Sequence, residues 1–484
     1  MKLGELARVC QGTLFGDPAL PVTGITHVAQ QVQEGYVFAA LPGVRHHGLE
    51  FLAEAQARGA VAVLSDQKPS TAFPWIATPN PRKAAALAAW ALAGNPEKRL
   101  VLVGVTGTNG KSTVCDLTTR ILAQAGQRVG VFGTLGYRLP HRAVPALRTT
   151  PEATDLAPLL AELVAAGGQA AVMEVSSHAL ALERVAGLSF QVAVWTNFTQ
   201  DHLDFHRTME EYFTAKRKLF ELLAPGGVRV INADDPELQP LLPELTPADF
   251  TFGFGETAQV RATDLELSLE GSRFTLTTPR GSCPVLLPLL GKHNVANALA
   301  AAAAALALGC DLAAVAAGLA HAQPLPGRLE RVPLDAPFAV FVDYAHTPDA
   351  LEKVLTTLRS LTSGRLIVVF GCGGDRDPGK RPLMGQVVAR LADVPIVTSD
   401  NPRSEDPGAI IAQILEGMEP SPNPRTLVLP DRRDAIAAAL RLAEPGSVVL
   451  LAGKGHEEVQ IFADRTVPFS DREEAIKAWQ RRKA

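Results

Sequence analysis

The 484-residue chain carries 46 lysines and arginines against 50 aspartates and glutamates, a formal net charge of −4. A chain this long outgrows one hydrophobic core and predicts about two to four domains, while so even a charge balance excludes a general nucleic-acid binder, which would show a basic excess. Its five cysteines (Cys10, Cys115, Cys283, Cys310, Cys372) are scattered without a C-x-x-C pair, so they read as free thiols of a reducing compartment and not as zinc ligands.

The N-terminal stretch MKLGELARVCQG lacks the continuous apolar core of a signal peptide. The first piece is the least regular. It closes with an alanine-rich helical pattern that stops at Gly94-Asn95-Pro96-Glu97, where glycine and proline break helices. A strand follows at Leu100 to Val105. Further apolar runs at Val129 to Phe132, Ala170 to Val175, Val192 to Thr196 and Val228 to Asn232 alternate with amphipathic stretches. That alternation predicts a mostly parallel sheet with helices on both faces. The most apolar tract, Val295 to Cys310, is mostly alanine and shorter than a bilayer span, so a buried helix is expected and membrane insertion is not. A second break falls at Gln323-Pro324-Leu325-Pro326-Gly327. Beyond it, strands at Ala339 to Val342, Leu366 to Phe370, Pro395 to Thr398 and Ser447 to Leu451 repeat the rhythm. A cytoplasmic location is the expectation.

The sharpest local signal is Gly104-Val105-Thr106-Gly107-Thr108-Asn109-Gly110-Lys111-Ser112-Thr113, set between a strand and a helical pattern. Glycines let backbone N–H groups converge on phosphate oxygens. The helix N-terminus adds partial positive charge, Lys111 adds a full one, and Ser112 offers a hydroxyl to Mg²⁺. Gly107, Thr108, Asn109, Gly110, Lys111, Ser112 and Thr113 are therefore the expected ATP-binding residues. Val105 stands where the strict G-x-x-x-x-G-K-[ST] pattern has its first glycine, and the bland alternative is a glycine-rich turn with an exposed lysine. The predicted architecture is α/β in three domains. These are a small N-terminal α/β domain over 1–97, a central P-loop ATPase domain with a mostly parallel sheet over 98–326, and a C-terminal Rossmann-like α/β domain over 327–484.

The loop Thr106-Gly107-Thr108-Asn109-Gly110-Lys111-Ser112 resembles the variant P-loop of the Mur ligase family of peptidoglycan synthesis. Further segments match in family order over almost the whole chain. They include Thr149-Thr150-Pro151-Glu152, Met173-Glu174-Val175-Ser176-Ser177-His178, Asp201-His202-Leu203-Asp204-Phe205-His206 and Tyr212-Phe213-Thr214-Ala215-Lys216. Gly291-Lys292-His293-Asn294, Asp343-Tyr344-Ala345-His346, Gly373-Gly374-Asp375-Arg376-Asp377, Asp400-Asn401-Pro402-Arg403 and Gly453-Lys454-Gly455-His456-Glu457 complete the set. Each string alone is weak; their joint order is specific. The match is nearest to the members that add the third residue of the stem peptide. It implies an ATP- and Mg²⁺-dependent ligase that joins UDP-N-acetylmuramoyl-L-alanyl-D-glutamate to a diamino acid through an acyl phosphate, as a monomer.

The resemblance makes Glu174 and His202 magnesium ligands with Ser112. Glu174 suits a hard cation, whereas imidazole is a less natural partner. It makes Lys216 a lysine carbamylated by CO₂, a reaction that needs a neutral, desolvated amine. Spacing alone would leave Lys216 an ordinary surface lysine beside Arg217 and Lys218. Asn294, Arg328 and Asp343 match nucleotide contacts, with helix capping as the plain alternative for Asn294. Thr149, Thr150, Ser176 and Arg184 match positions that hold the UDP-sugar-dipeptide. Arg376, Asp400, Asn401, Pro402, Arg403, Gly453 and Glu457 match the amino-acid pocket. There Arg403 would fork onto the distal carboxylate of meso-diaminopimelate and Glu457 would accept the distal ammonium. Lysine and ornithine stay open as the amine.

The first domain departs from the family pattern. Family members carry Asp-Ser-Arg near the uridine, where this chain has Val28-Ala29-Gln30-Gln31, leaving Gln30 as a weaker hydrogen-bond donor. Two other readings remain. A folylpolyglutamate-type ligase would share the P-loop and the lysine chemistry without needing the first domain or Arg403. A non-enzymatic ATP-binding regulatory protein would be expected to have lost Lys111 or a metal ligand, and neither is lost.

Overall fold

A computed structural model of the protein describes residues 1–43, 46–419 and 425–483, without the side chains of Asp204 and Lys483; Asp204 of the Asp201–His206 motif thus lies outside the described side chains. The chain folds as two compact units. The first comprises 1–264, 274–285 and 296–321; the second comprises 265–273, 286–295 and 322–484.

The first unit begins with a five-stranded sheet in the order Thr13–Phe15, Trp75–Ala77, Ala62–Ser65, Tyr36–Ala39, Gly24–Thr26, parallel except for its first pair. The helix Pro81–Leu92 follows, capped by the Asn80 side chain on Lys83 N and opened by a proline whose missing N–H costs nothing there. The predicted break is a real turn: Asn95 has φ +53° and a short 3₁₀ helix spans Pro96–Arg99. The apolar core nevertheless runs through it. Leu3, Val37 and Trp90 from one side pack in the same cluster as Leu102, Phe132 and Leu156 from the other. Trp90 Nε1 also donates to Ala186 O at 2.8 Å, so the first two predicted pieces form one unit.

The heart of this unit is four parallel strands in the order Phe190–Trp195, Val101–Thr106, Ala170–Glu174, Val129–Gly133. Their Val- and Ala-rich runs are buried on both faces, as parallel strands between helices require. The register pairs Glu174 with Val105 and Trp195 with Thr106, so these strands end level at their C-terminal edge. That edge is where open α/β sheets place ligands. The alanine-rich tract is a helix, Lys292–Ala307, with Ala298 to Leu306 fully buried. Among the described residues no helix is long and apolar enough to cross a membrane.

The second unit is built on a six-stranded sheet ordered Glu330–Arg331, Ala339–Asp343, Val448–Ala452, Leu366–Phe370, Val394–Val397, Leu427–Val428. Only the first pair is antiparallel. Asp343 lies beside Ala452 and Phe370 beside Val397, so the loops after all four strands share one edge. Pro348 and Pro407 open the helices Pro348–Leu361 and Pro407–Glu416, each capped by the residue before it, Thr347 or Asp406. The strands predicted from apolar runs sit within a few residues of their observed places.

Candidate active site

The glycine loop leaves the strand Val101–Thr106 and enters the helix Lys111–Gln124. Gly107 has φ +141° and Gly110 φ +86°. A Cβ on Gly107 would lie 1.9 Å from Thr196 Oγ1, and one on Gly110 would lie 2.3 Å from Asn297 Oδ1. Both positions therefore demand glycine. The loop is stitched to the segment after the neighbouring strand: Asn109 N donates to Asn197 Oδ1 at 2.8 Å, and Thr196 Oγ1 donates to Asn109 O at 2.6 Å. Thr108 Oγ1 donates to Thr199 O and accepts from Thr199 N, each at 3.0 Å. Beside it opens a groove of about 640 Å³ lined by Phe198, Thr199, Gln200, Asn232 and Asp234.

Two lysines meet on one carbonyl of this loop. Lys111 Nζ donates to Gly107 O at 3.0 Å and Thr108 O at 2.9 Å; Lys216 Nζ donates to Gly107 O at 2.8 Å. Lys216 rides on the helix Met209–Glu221, capped by Thr208, whose buried stripe is Tyr212, Ala215, Lys216 and Leu219. Only 2% of Lys216 is exposed, so it is not a surface lysine. Its Nζ lies 4.6 Å from the centre of the Tyr212 ring. Burial, then the charge of Lys111, pulls its amine well below the ordinary lysine value, with Asp201 opposing.

Glu174 ends its strand at the ligand edge and is buried. Its Oε1 accepts from Ser112 Oγ at 2.7 Å and from Thr134 N at 2.8 Å, and Oε2 accepts from Thr134 Oγ1 at 3.2 Å. Hydroxyl and carboxylate together form an oxygen pair of the kind a hard cation takes. Among the described residues, His202 makes no hydrogen bond to that pair. It has φ +53°, is half-exposed, lies 3.4 Å from Asp201 Oδ2 and packs its ring edge-on to His178 at 4.8 Å. Among the described residues no group of three or more His, Cys, Asp and Glu side chains is arranged to hold a metal. Ser112 and Glu174 fit Mg²⁺ as one neutral and one anionic oxygen donor.

Thr149, Thr150, Ser176 and Arg184 lie together beside Glu174, in two layers. Thr150 Oγ1 donates to Glu174 O at 2.8 Å and accepts from Ser176 N at 3.1 Å. Arg184 Nε donates to Glu152 Oε1 at 2.9 Å and Nη1 to Thr150 O at 3.2 Å. Thr150 and Arg184 are buried and shape the wall; Thr149 and Ser176 stay partly open. Thr134, absent from the sequence reading, ties the two layers through Thr149 Oγ1 at 3.0 Å. Its place just after the strand Val129–Gly133, on the ligand edge, is the signal that could have found it. In the first domain Gln30 spends its amide on Glu54 Oε2 at 2.9 Å. His27 instead reaches out of that domain, with Nδ1 2.8 Å from Thr154 Oγ1.

In the second unit the amino-acid residues cluster on the shared edge. Gly453 has φ +114°, and a Cβ there would lie 2.4 Å from Asp400 Oδ2. Asn401 Nδ2 donates to Glu457 Oε2 at 2.7 Å. Lys454, fully buried and given no role in the sequence beyond its place in the motif, donates to both Asn401 Oδ1 and Glu457 Oε2 at 3.1 Å. Arg403 has φ +52° and donates through Nη1 to Gly374 O at 2.7 Å; Pro402 is buried beside it, and Arg376 is exposed on the facing loop. Asp343 is buried, accepting from Leu329 N and Ala345 N at 2.7 Å each; burial raises its carboxyl above the usual range, against those backbone bonds. Arg328 lies over the Tyr344 ring at 5.6 Å. Asn294 is no N-cap: the helix starts at Lys292 after Gly291 turns at φ +84°, and Asn294 Nδ2 donates back to Leu290 O at 2.9 Å.

The family models agree with this layout. The Mur ligase middle domain matches residues 105–305, and the Mur ligase, glutamate ligase domain matches 327–455. A UDP-N-acetylmuramoyl-L-alanyl-D-glutamate--2,6-diaminopimelate ligase of Geobacter metallireducens is 44% identical over 509 aligned positions, covering 99% of this chain and 98% of the relative. The chain belongs to the Mur ligase family. A solved structure of a UDP-N-acetylmuramoyl-L-alanyl-D-glutamate--2,6-diaminopimelate ligase is 35% identical, covers 100% of this Mur ligase and 99% of that chain, and superposes with a TM-score of 0.75. A Mycobacterium tuberculosis folylpolyglutamate synthase shares the fold alone, at 22% identity, 77% coverage of this chain, 92% of its own and a TM-score of 0.62.

Proposed function

We propose that this Mur ligase uses ATP to join the D-Glu side-chain carboxylate of UDP-N-acetylmuramoyl-L-alanyl-D-glutamate to an amine of meso-diaminopimelate. The observation that carries the reading is the meeting of Lys111 and buried Lys216 on the Gly107 carbonyl, at 3.0 and 2.8 Å, within a loop whose positions 107 and 110 demand glycine. A carboxylate oxygen attacks the γ-phosphorus, the bond to the ADP oxygen breaks, and an acyl phosphate forms. The free amine then attacks the acyl carbon, phosphate departs with the bonding pair, and the new ammonium loses a proton to solvent. The first attack sets anion against anion, and Lys111 and the loop N–H groups stabilise the charge that develops.

Burial lowers the Lys216 amine well below the ordinary lysine value, which favours the neutral nitrogen that can attack CO₂, shed one proton and become an anionic carbamate. Ser112, Glu174 and the carbamate would hold Mg²⁺, which when bound neutralises phosphate charge. His202 would join them as a fourth ligand. Thr149 and Ser176 face the nucleotide-peptide, with Thr150 and Arg184 holding their wall, and Asn294, Arg328 and Asp343 serve the nucleotide. In the second unit Arg403 reads the distal carboxylate. Glu457, kept in place by Lys454 and Asn401, accepts the distal ammonium, with Arg376, Asp400, Pro402 and Gly453 shaping the pocket. Its functional domains run over 1–97 and 98–326, which share one core, and over 327–484, and it works as a cytoplasmic monomer.

Omission tests the ligase reading. Phosphate release should need ATP, nucleotide-peptide and diamino acid together. Release with a folate and L-glutamate instead would replace the substrate assignment, and release from ATP alone would replace the ligase.

A further inference from the structure

Arg403 can select a carboxylate only if its guanidinium is held still, yet its backbone occupies the left-handed region at φ +52°. Asp375, on the facing loop, is in the same region at φ +54°. Non-glycine residues stay there only where their surroundings over-determine them. Both loops approach closely. A Cβ on Gly374 would lie 1.9 Å from Pro402 O, and Gly374 N donates to Asn401 O at 2.9 Å.

One side chain touches both loops. Arg381, from the helix Lys380–Leu391, is 1% exposed. Its Nη1 and Nη2 donate to Glu405 Oε2 and Oε1, each at 2.8 Å, a bidentate pair on the Arg403 loop. Nη2 also donates to Gly373 O at 3.2 Å on the other loop, and Nη1 to Gln413 Oε1 at 2.6 Å. Glu405 crosses in the opposite sense, its Oε1 accepting from Asp375 N at 2.6 Å. Ser404 Oγ donates to Asp375 Oδ1 at 2.5 Å. The carbonyl that anchors Arg403, Gly374 O, belongs to the residue between Gly373 and Asp375, and both of these are held by the pair.

We propose that Arg381 and Glu405 are positioning residues for amine selection: their bidentate ion pair, buried on the Arg381 side, locks the two loops together and so aims the Arg403 guanidinium. The proposal rests on Arg403 as the carboxylate reader. A bidentate guanidinium–carboxylate pair fixes direction as well as distance, which a lone charge does not.

The test measures kcat/KM for meso-diaminopimelate and for L-lysine, with KM for ATP and a melting curve, in the wild type, Arg403→Ala, Glu405→Gln and the double variant Arg381→Met/Glu405→Leu. Glu405→Gln should lower the meso-diaminopimelate to lysine ratio about tenfold while KM for ATP stays within about twofold. The double variant replaces the pair by apolar groups that can pack, so it keeps the fold if the single one does not, and it should lower the ratio as far. A purely structural role would lower both amines alike. If folded variants keep the wild-type ratio while Arg403→Ala loses it, the positioning role is overturned. If Arg403→Ala itself keeps the ratio, the reading of Arg403 falls and the proposal falls with it, and the two failures are told apart by that one variant.

Discussion

In the phosphate loop, glycine does the placing: Gly107 and Gly110 take positive φ without a side chain, and neighbouring Thr196 and Asn297 fill the space a Cβ would need. In the amine-reading loops, Asp375 and Arg403 take the same backbone region with side chains attached, and hydrogen bonds and an ion pair from outside keep them there. The first arrangement works by leaving side chains out, so that Thr196 and Asn297, both far along the chain, can close on the loop. The second works through partners 24 and 30 residues apart that hold side-chain-bearing residues in place. Chemistry common to a ligase family can sit on the first kind of loop, while the choice of amine can be retuned on the second without disturbing phosphate transfer.

Substitutions should separate the two regions. Lys111→Ala removes the charge at the phosphate loop and should cut kcat by about 10³-fold or more with every amine. Full activity in a folded Lys111→Ala protein would break the assignment. Gly107→Ala should come next. Its Cβ meets Thr196 Oγ1 at 1.9 Å, so the loop must shift, and ATP binding measured by calorimetry should weaken before amine selectivity changes.

Lys216→Ala should lose about 10²-fold or more in kcat, and formate or acetate should restore part of it by standing in for the carbamate oxygens. Lys216→Met tests the cost of burial. Between the lowered value of the folded state and the ordinary 10.5, the unfolded chain holds a proton on Lys216 that the folded chain lacks. Stability therefore rises with pH across that window, and the burden is heaviest at its acid end. Melting in CO₂-free buffer should show Lys216→Met above the wild type at neutral pH, with the gap closing as pH rises. No gap would mean the folded amine is not neutralised. Arg403→Ala is the smallest effect and the most selective. It should lower kcat/KM for meso-diaminopimelate about 10²-fold and leave KM for ATP within about twofold.

The parts that were legible in the sequence are those where periodicity or glycine carries the information. Leu366 to Phe370 is a strand over the residues expected, because an apolar run bounded by polar turns can bury both faces only inside a parallel sheet. The phosphate loop was legible because its glycines, lysine and hydroxyl follow one another. Lys216 was ambiguous from spacing, since its helix also carries Arg217 and Lys218; what decides it is the Tyr212, Ala215 and Leu219 stripe facing inward. Thr134 went unread because its partner, Glu174, is distant in sequence, and Lys454 carried no role of its own there because its bond to Asn401 crosses 53 residues. The same holds for the break near Asn95. Proline and glycine mark a turn there, but no local pattern announces that Trp90 will bond Ala186 and join two sheets in one core.

The central claim is that one chain couples P-loop chemistry to an arginine-read diamino acid. Its most direct test is phosphate release from ATP, Mg²⁺ and UDP-N-acetylmuramoyl-L-alanyl-D-glutamate, with meso-diaminopimelate, L-lysine or L-ornithine supplied separately. Release that depends on meso-diaminopimelate, with little from the other two, is the predicted result. Release driven equally well by lysine or ornithine would contradict it.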